Sequence, residues 1–184
     1  MSAWPAVRSA CAGDINGDGF DDLLVGGHGR FYYSSQTYDV SGTSGRAYII
    51  FGKAGRFDAE ISLDNLNGND GFTFFPQSSR YDYITSVSST GDINGDGFDD
   101  AVLTDNTISF VVFGKTDGFQ ASISEYSLDG TNGFVIDNVG NSVTGNKDVN
   151  GDGLSGPGFH RKPYVYRHLR QNNRLQRRNR CEHA

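Results

Sequence analysis

Apolar positions in this chain fall in short runs broken by Gly, Asn and Asp. In its middle part the runs are residues 84–88 (ITSVS), 101–103 (AVL), 108–113 (ISFVVF) and 134–136 (FVI). Short runs rich in β-branched and aromatic residues and bounded by turn formers predict strands, and four in succession predict a four-stranded antiparallel meander. The apolar runs themselves are expected only to pack a core.

The same order of features occurs twice. GDINGDGFDD stands at residues 13–22 and, unchanged, at 91–100, and a weaker copy, KDVNGDGLSG, occupies 147–156. YIIFGK at 48–53 is echoed by FVVFGK at 110–115, and LNGNDGFTF at 66–74 by LDGTNGFVI at 128–136. Each copy therefore reads as one supersecondary unit. A four-stranded sheet has two faces to bury and can bury them only against neighbours, so repeated meanders suggest propeller blades.

The expected fold class is all-β: an incomplete β-propeller of about two blades plus partial strands. Residues 1–80 form the first blade, with a long insertion at 28–45, and residues 81–140 form the second. Residues 141–154 begin a third repeat, and 155–184 are a basic tail, non-native or disordered. Two blades cannot close a ring. The chain is therefore expected to oligomerise, aggregate or belong to a longer protein.

Composition agrees with this reading. The 25 Gly, 13 Phe and 9 Tyr, against 4 Pro and a single Met and Trp, suit aromatic strands joined by glycine turns. No apolar run is long enough for a membrane span. Residues 1–13 lack the apolar core of a signal peptide, so an export signal is expected elsewhere. Cys11 and Cys181 lie far apart with no CxxC spacing, which points to incidental thiols.

The formal net charge of −6 conceals two regions, since residues 159–184 hold eight of the 16 Lys and Arg side chains and one acid, Glu182. As a functional arm this tail would contact nucleic acid or anionic lipid. The repeat, however, predicts an acid pair and an apolar strand after Leu154, and the pattern stops mid-motif. A shifted reading frame is the expectation, with no nucleic-acid partner.

The repeated decapeptide carries the chemistry. Asp14, Asn16, Asp18 and Asp22 stand at positions 1, 3, 5 and 9 of a loop, Gly19 permits the backbone reversal, and the Phe20 carbonyl adds a neutral oxygen. Asp92, Asn94, Asp96, the Phe98 carbonyl and Asp100 repeat the set. Hard cations take six to eight oxygens, so each loop is expected to bind one Ca²⁺, with waters or a bidentate carboxylate completing the shell. The cation also relieves the repulsion of three crowded carboxylates. The third copy keeps Asp148, Asn150 and Asp152 but has Gly156 at position 9, and is expected to be weak or empty. An EF-hand would need Glu at position 12, where Val25 and Leu103 stand.

These loops, the Phe51-Gly52 and Phe113-Gly114 pairs, and the lead-in SVSSTG at 86–91 together resemble the FG-GAP repeat family, the blade type of integrin α chains. The GAP element is poor, with Gly26-Gly27-His28 in the first unit and Asp105-Asn106 in the second. The resemblance implies a propeller of about seven blades, calcium loops between the first two strands of a blade, and adhesion or ligand binding. It implies an extracellular or cell-surface location, a protein or carbohydrate ligand on a cell surface or matrix, and further blades of a parent propeller as partners. The alternatives are an accessory propeller of a secreted enzyme such as a hydrolase, or a truncated product without its own function.

No catalytic constellation is found in the sequence. Gly114-Lys115-Thr116 lacks the glycine a phosphate loop needs, residues 153–157 end in Pro where a nucleophile elbow needs Gly, and the four His show no ligand spacing. The insertion carries Phe31, Tyr32, Tyr33 and Tyr38 among Ser, Gly and Thr, a composition of adaptable binding loops or of packed-down aromatics. In a meander it should lie on the rim opposite the calcium loops. Asp21 and Asp99 are expected to face solvent.

Overall fold

The computed structural model describes residues 8–27, 31–33, 40–42, 45–76, 84–105, 107–137, 142–147 and 156–160. Asp148, Asn150 and Asp152, most of the insertion and residues 161–184 lie outside them. The protein is all-β, with no α-helix among the described residues and two short 3₁₀ turns at Leu63–Asn65 and Glu125–Ser127.

The first unit contributes β1 (Arg8–Gly13) and β2 (Asp22–Gly27), a separate hairpin of β3 (Phe31–Tyr33) and β4 (Val40–Gly42), then β5 (Arg46–Ile50) and β6 (Gly71–Phe75). β1, β2, β5 and β6 lie side by side in that order, each antiparallel to the next. The β3/β4 hairpin sits within the insertion, which leaves the sheet at the end of β2 away from the β1–β2 loop. The second unit repeats the plan with β7 (Ser86–Gly91), β8 (Asp100–Thr104), β9 (Ile108–Val112) and, after β10 (Ser122–Ser124), β11 (Gly133–Asp137). The four runs expected to be strands are β7, β8, β9 and β11. A third hairpin pairs β12 (Ser142–Lys147) with β13 (Gly156–His160).

The two sheets bury a common core. Leu24, Ile49, Phe72 and Phe74 of the first meet Leu103, Phe110 and Val112 of the second, all at most 1% exposed. Phe74 and Phe110 stand 5.1 Å apart between ring centroids. At Gly26 a Cβ would fall 2.9 Å from both Ile84 Cγ2 and Val87 Cγ1, so a side chain there would push the sheets apart. β12 continues the stacking, with the Gly145 N–H donating to Ser88 Oγ at 2.9 Å and Val143 burying against Val102 and Val111.

β10 was not foreseen. It belongs to the second unit by sequence, yet it pairs in parallel with β6 of the first, Ser122 opposite Thr73 and Ser124 opposite Phe75. An edge strand left open is a liability, and here the neighbouring unit closes it. The first sheet is thus completed by a strand from outside its own unit. Phe74→Ala should cost about 3–5 kcal/mol, and Leu23→Ala, at a side chain 45% exposed on the outer face of the first sheet, should cost under about 1 kcal/mol; urea denaturation of the two variants checks the contrast.

Candidate metal loops

The two decapeptides form the β1–β2 and β7–β8 connections, and they fold alike. In the first, Asp14 Oδ1 accepts the Asp18 N–H at 3.0 Å and Oδ2 the Gly19 N–H at 2.9 Å. Asn16 Oδ1 accepts the Asp18 N–H at 3.0 Å, and Asp18 Oδ1 accepts the Phe20 N–H at 2.9 Å. In the second, Asp92 accepts from Asp96 and Gly97, Asn94 from Asp96, and Asp96 from Phe98. The chain winds around its own acidic side chains, a path open because Gly17, Gly19, Gly95 and Gly97 take φ of 72°, 89°, 78° and 93°.

The carboxylate at position 9 has a different task. Asp22 is 2% exposed; its Oδ2 accepts the Ile15 N–H at 2.9 Å and its Oδ1 the Gly52 N–H at 2.7 Å. Asp100, fully buried, accepts from Ile93 at 2.7 Å and Gly114 at 2.9 Å. This bond explains the Phe-Gly pair. Gly52 and Gly114 press against the carbonyls of Asp21 and Asp99 so closely that any Cβ would collide with backbone. Burial pushes both carboxyls up to about 6, the Asp18 and Asp14 charges (Asp96 and Asp92 in the second loop) adding to it against the lowering effect of the N–H bonds.

The first loop is also held from the second sheet. The Asp14 N–H donates to Asp99 Oδ2 at 3.0 Å, and the Lys115 N–H donates to the Ile15 carbonyl at 2.8 Å. Asp99, expected to face solvent, is half-buried at this junction, whereas Asp21 is exposed. Gly13, at φ 70°, lies against the Asp99 carboxylate, leaving no room for a Cβ. The signal for this role is present in the sequence as the doubled acid at 99–100, but only the packing of one unit on the next reveals it.

The donor chemistry of each loop fits a hard cation. Three carboxylates, an amide oxygen and a main-chain carbonyl share one turn, and among the described residues none of these carboxylates has an ion-pair partner. Carboxylate oxygens carry spare lone pairs beyond one N–H bond. Among the described residues no three His, Cys, Asp or Glu side chains close on a common metal position; the first-turn carboxylates are aimed at backbone N–H groups. Val25 and Leu103, at position 12, lie in β2 and β8, which excludes the helix-flanked EF-hand.

Residues 6–50 match the family model of the FG-GAP repeat. The chain carries an FG-GAP repeat. That match spans β1 through β5, the first loop included, and the second unit reproduces the FG-GAP loop residue for residue. The chain is 30% identical to mouse (Mus musculus) integrin alpha-E over 162 residues, 28% identical to human (Homo sapiens) integrin alpha-E over 158 and 24% identical to Xenopus laevis integrin alpha-4 over 151. In each case 79% of this chain is covered, and it spans only 12–13% of the length of these relatives.

Two outcomes follow. Gly114→Ala should destabilise the fold by about 1–3 kcal/mol, measured by urea denaturation, while Asp21→Ala at the exposed acid should fall within about 0.5 kcal/mol of the parent. Asp22 and Asp100 bind a proton more tightly folded than unfolded, since their pKa rises from 3.8 to about 6. Their contribution to stability is therefore full below 3.8 and lost as pH climbs through about 6. In EDTA, the fall in melting temperature from pH 4 to pH 7 should be reduced in the Asp22→Asn, Asp100→Asn double variant.

Proposed function

We propose that this chain is a calcium-stabilised, non-enzymatic propeller module that binds a ligand outside the cell or at its surface. One Ca²⁺ sits in residues 14–22, held by Asp14, Asn16, Asp18, the Phe20 carbonyl and Asp22. A second sits in residues 92–100, held by Asp92, Asn94, Asp96, the Phe98 carbonyl and Asp100. The observation that carries this reading is the twice-built acidic turn, whose carboxylates have no ion-pair partner among the described residues. When bound, the ion supplies positive charge to the turn. The chain's own residues do the rest: Asp22 and Asp100 fasten each turn to its Phe-Gly pair, and Asp99 fastens the first turn to the neighbouring sheet.

The ion thus has a structural role. The first loop lies where one sheet docks on the next, so an ion there fixes the stacking. The ligand surface we assign to the opposite rim, where the insertion with its β3/β4 hairpin leaves the first sheet. The similarity to integrin alpha chains supports a protein ligand and further blades beside these two.

Calcium titration tests the reading. At a Ca²⁺ concentration ten times the dissociation constant each site adds about 1.4 kcal/mol, so two sites should raise the melting temperature by roughly 6–11 °C relative to EDTA. Asp14→Ala combined with Asp92→Ala should abolish the rise. A melt indifferent to Ca²⁺ and EDTA alike would remove the metal from the account.

A further inference from the structure

Five Asn-Gly pairs occur in the chain, at residues 16–17, 67–68, 94–95, 132–133 and 150–151, the last outside the described residues. An Asn side chain followed by Gly is open to attack by the Gly main-chain nitrogen, because no Cβ shields that nitrogen. The reaction gains from three further groups: an acceptor for the proton on the nitrogen, a donor to the amide oxygen as it becomes an oxyanion, and a partner for the departing ammonia. The four described pairs differ in how many of these they hold.

The pair in the second acidic turn holds all three. The Gly95 N–H donates to Asp92 Oδ1 at 2.7 Å, so a carboxylate stands on the nucleophile's proton. Asn94 Oδ1 accepts the Asp96 N–H at 3.0 Å, which polarises the amide and folds it back over the peptide joining Asn94 to Gly95. Asn94 Nδ2 donates to Asp96 Oδ2 at 2.7 Å, which places a second carboxylate on the leaving group. The first turn, identical in sequence, lacks the first of the three. Asp18 serves both ends of the Asn16 amide at 3.0 Å, but among the described residues the Gly17 N–H has no acceptor. In the remaining pairs the Gly68 N–H donates to the Gly71 carbonyl, a far weaker base than a carboxylate, and the Asn132 amide turns back to Ser127 and Asp129, away from Gly133.

We propose that Asn94 is a self-deamidation site in which Asp92 acts as the general base. The Gly95 nitrogen forms a bond to Asn94 Cγ while its proton passes to Asp92. The Cγ–Nδ2 bond then breaks, and the proton held by Asp92 leaves with Nδ2 as ammonia. Water opens the resulting succinimide at either carbonyl, giving aspartate or isoaspartate at position 94. In the isoaspartyl product the main chain runs through Cγ, so the turn is longer by a methylene and the spacing that lets Asp92 accept from Asp96 and Gly97 is lost. The second turn therefore ages faster than its twin.

The full chain, incubated in EDTA at neutral pH and mapped by mass spectrometry, tests this independently of any metal, because the tryptic fragments 9–30 and 81–115 report the two turns separately. Fragment sequencing assigns the modified residue. Asn94 is expected to react about tenfold faster than Asn16, below the hundredfold or more that a tuned catalytic base supplies. In concentrated urea the two rates should converge, because residues 13–22 and 91–100 are the same sequence. Asp92→Asn, which keeps an oxygen for the Gly95 N–H but is no base, should bring the Asn94 rate down to that of Asn16, with circular dichroism confirming that the strands persist; should that variant not fold, the comparison of the two turns in the parent chain decides alone. Equal rates at Asn94 and Asn16 in the folded chain, a difference that survives in urea, or an undiminished Asn94 rate in a folded Asp92→Asn chain would overturn the proposal.

Discussion

Each sheet of this protein is organised around a buried carboxylate at the start of its second strand. Asp22 and Asp100 accept one N–H from their own loop and one from the glycine that follows the third strand, so a single side chain ties the acidic turn to a residue far along the sequence. Burying a carboxylate is costly unless its lone pairs are satisfied. The Phe-Gly pair meets that condition: Gly lets the main chain approach the carbonyl before the Asp, and the Phe anchors the approach in the core for the first unit and in the Phe113–Phe134 pair for the other. Loop and Phe-Gly motif recur together because they are two halves of one contact.

The second constraint is that neither sheet is self-sufficient. Ile15, at the second position of the first loop, is fully buried between the sheets, and its carbonyl accepts from Lys115 of the other unit. Its counterpart Ile93 is only partly buried, against Val102, Val111 and Val143 of the β12/β13 hairpin. The same residue types thus differ in burial according to whether a four-stranded sheet or, among the described residues, a two-stranded hairpin packs on them. Phe57 and Phe119, and Ile61 and Ile123, show the same asymmetry on the preceding side. Packing in this protein is a property of the repeat's neighbours more than of the repeat.

The difference explains what could be read from the chain. The strands were legible because short apolar runs, glycine turns and a repeated order are local signals, and β7, β8, β9 and β11 lie where those signals stand. The loop's self-contained hydrogen bonds were legible for the same reason: Asp14, Asn16 and Asp18 are spaced to reach one another's main chain. What the sequence did not disclose depends on contacts between units. Asp99 looks like a spare surface acid until the first loop is laid against it, and residues 119–124 have no strand signature strong enough to predict a parallel pairing with β6. The glycine of the Phe-Gly pair was recognisable as a motif, yet its reason, a carbonyl in the space of its missing Cβ, required the fold.

The charge distribution at the junction of the two sheets has a consequence for the proposed metal. Asp99 brings a fourth carboxylate to the first loop, where Asp14, Asp18 and Asp22 already share one turn, and it does so through the Asp14 N–H instead of a cationic side chain. Repulsion among these groups acts across the sheet interface as well as within the loop. A cation in the first loop would therefore offset charge belonging to both units and favour the docked arrangement over the separated one. In the second loop the position next to the buried carboxylate's contact is filled by no described acid from a following unit, so the ion there would act within its own turn. Two loops of identical sequence would then differ in how strongly metal binding is linked to sheet packing, because their surroundings, and not their ligands, differ.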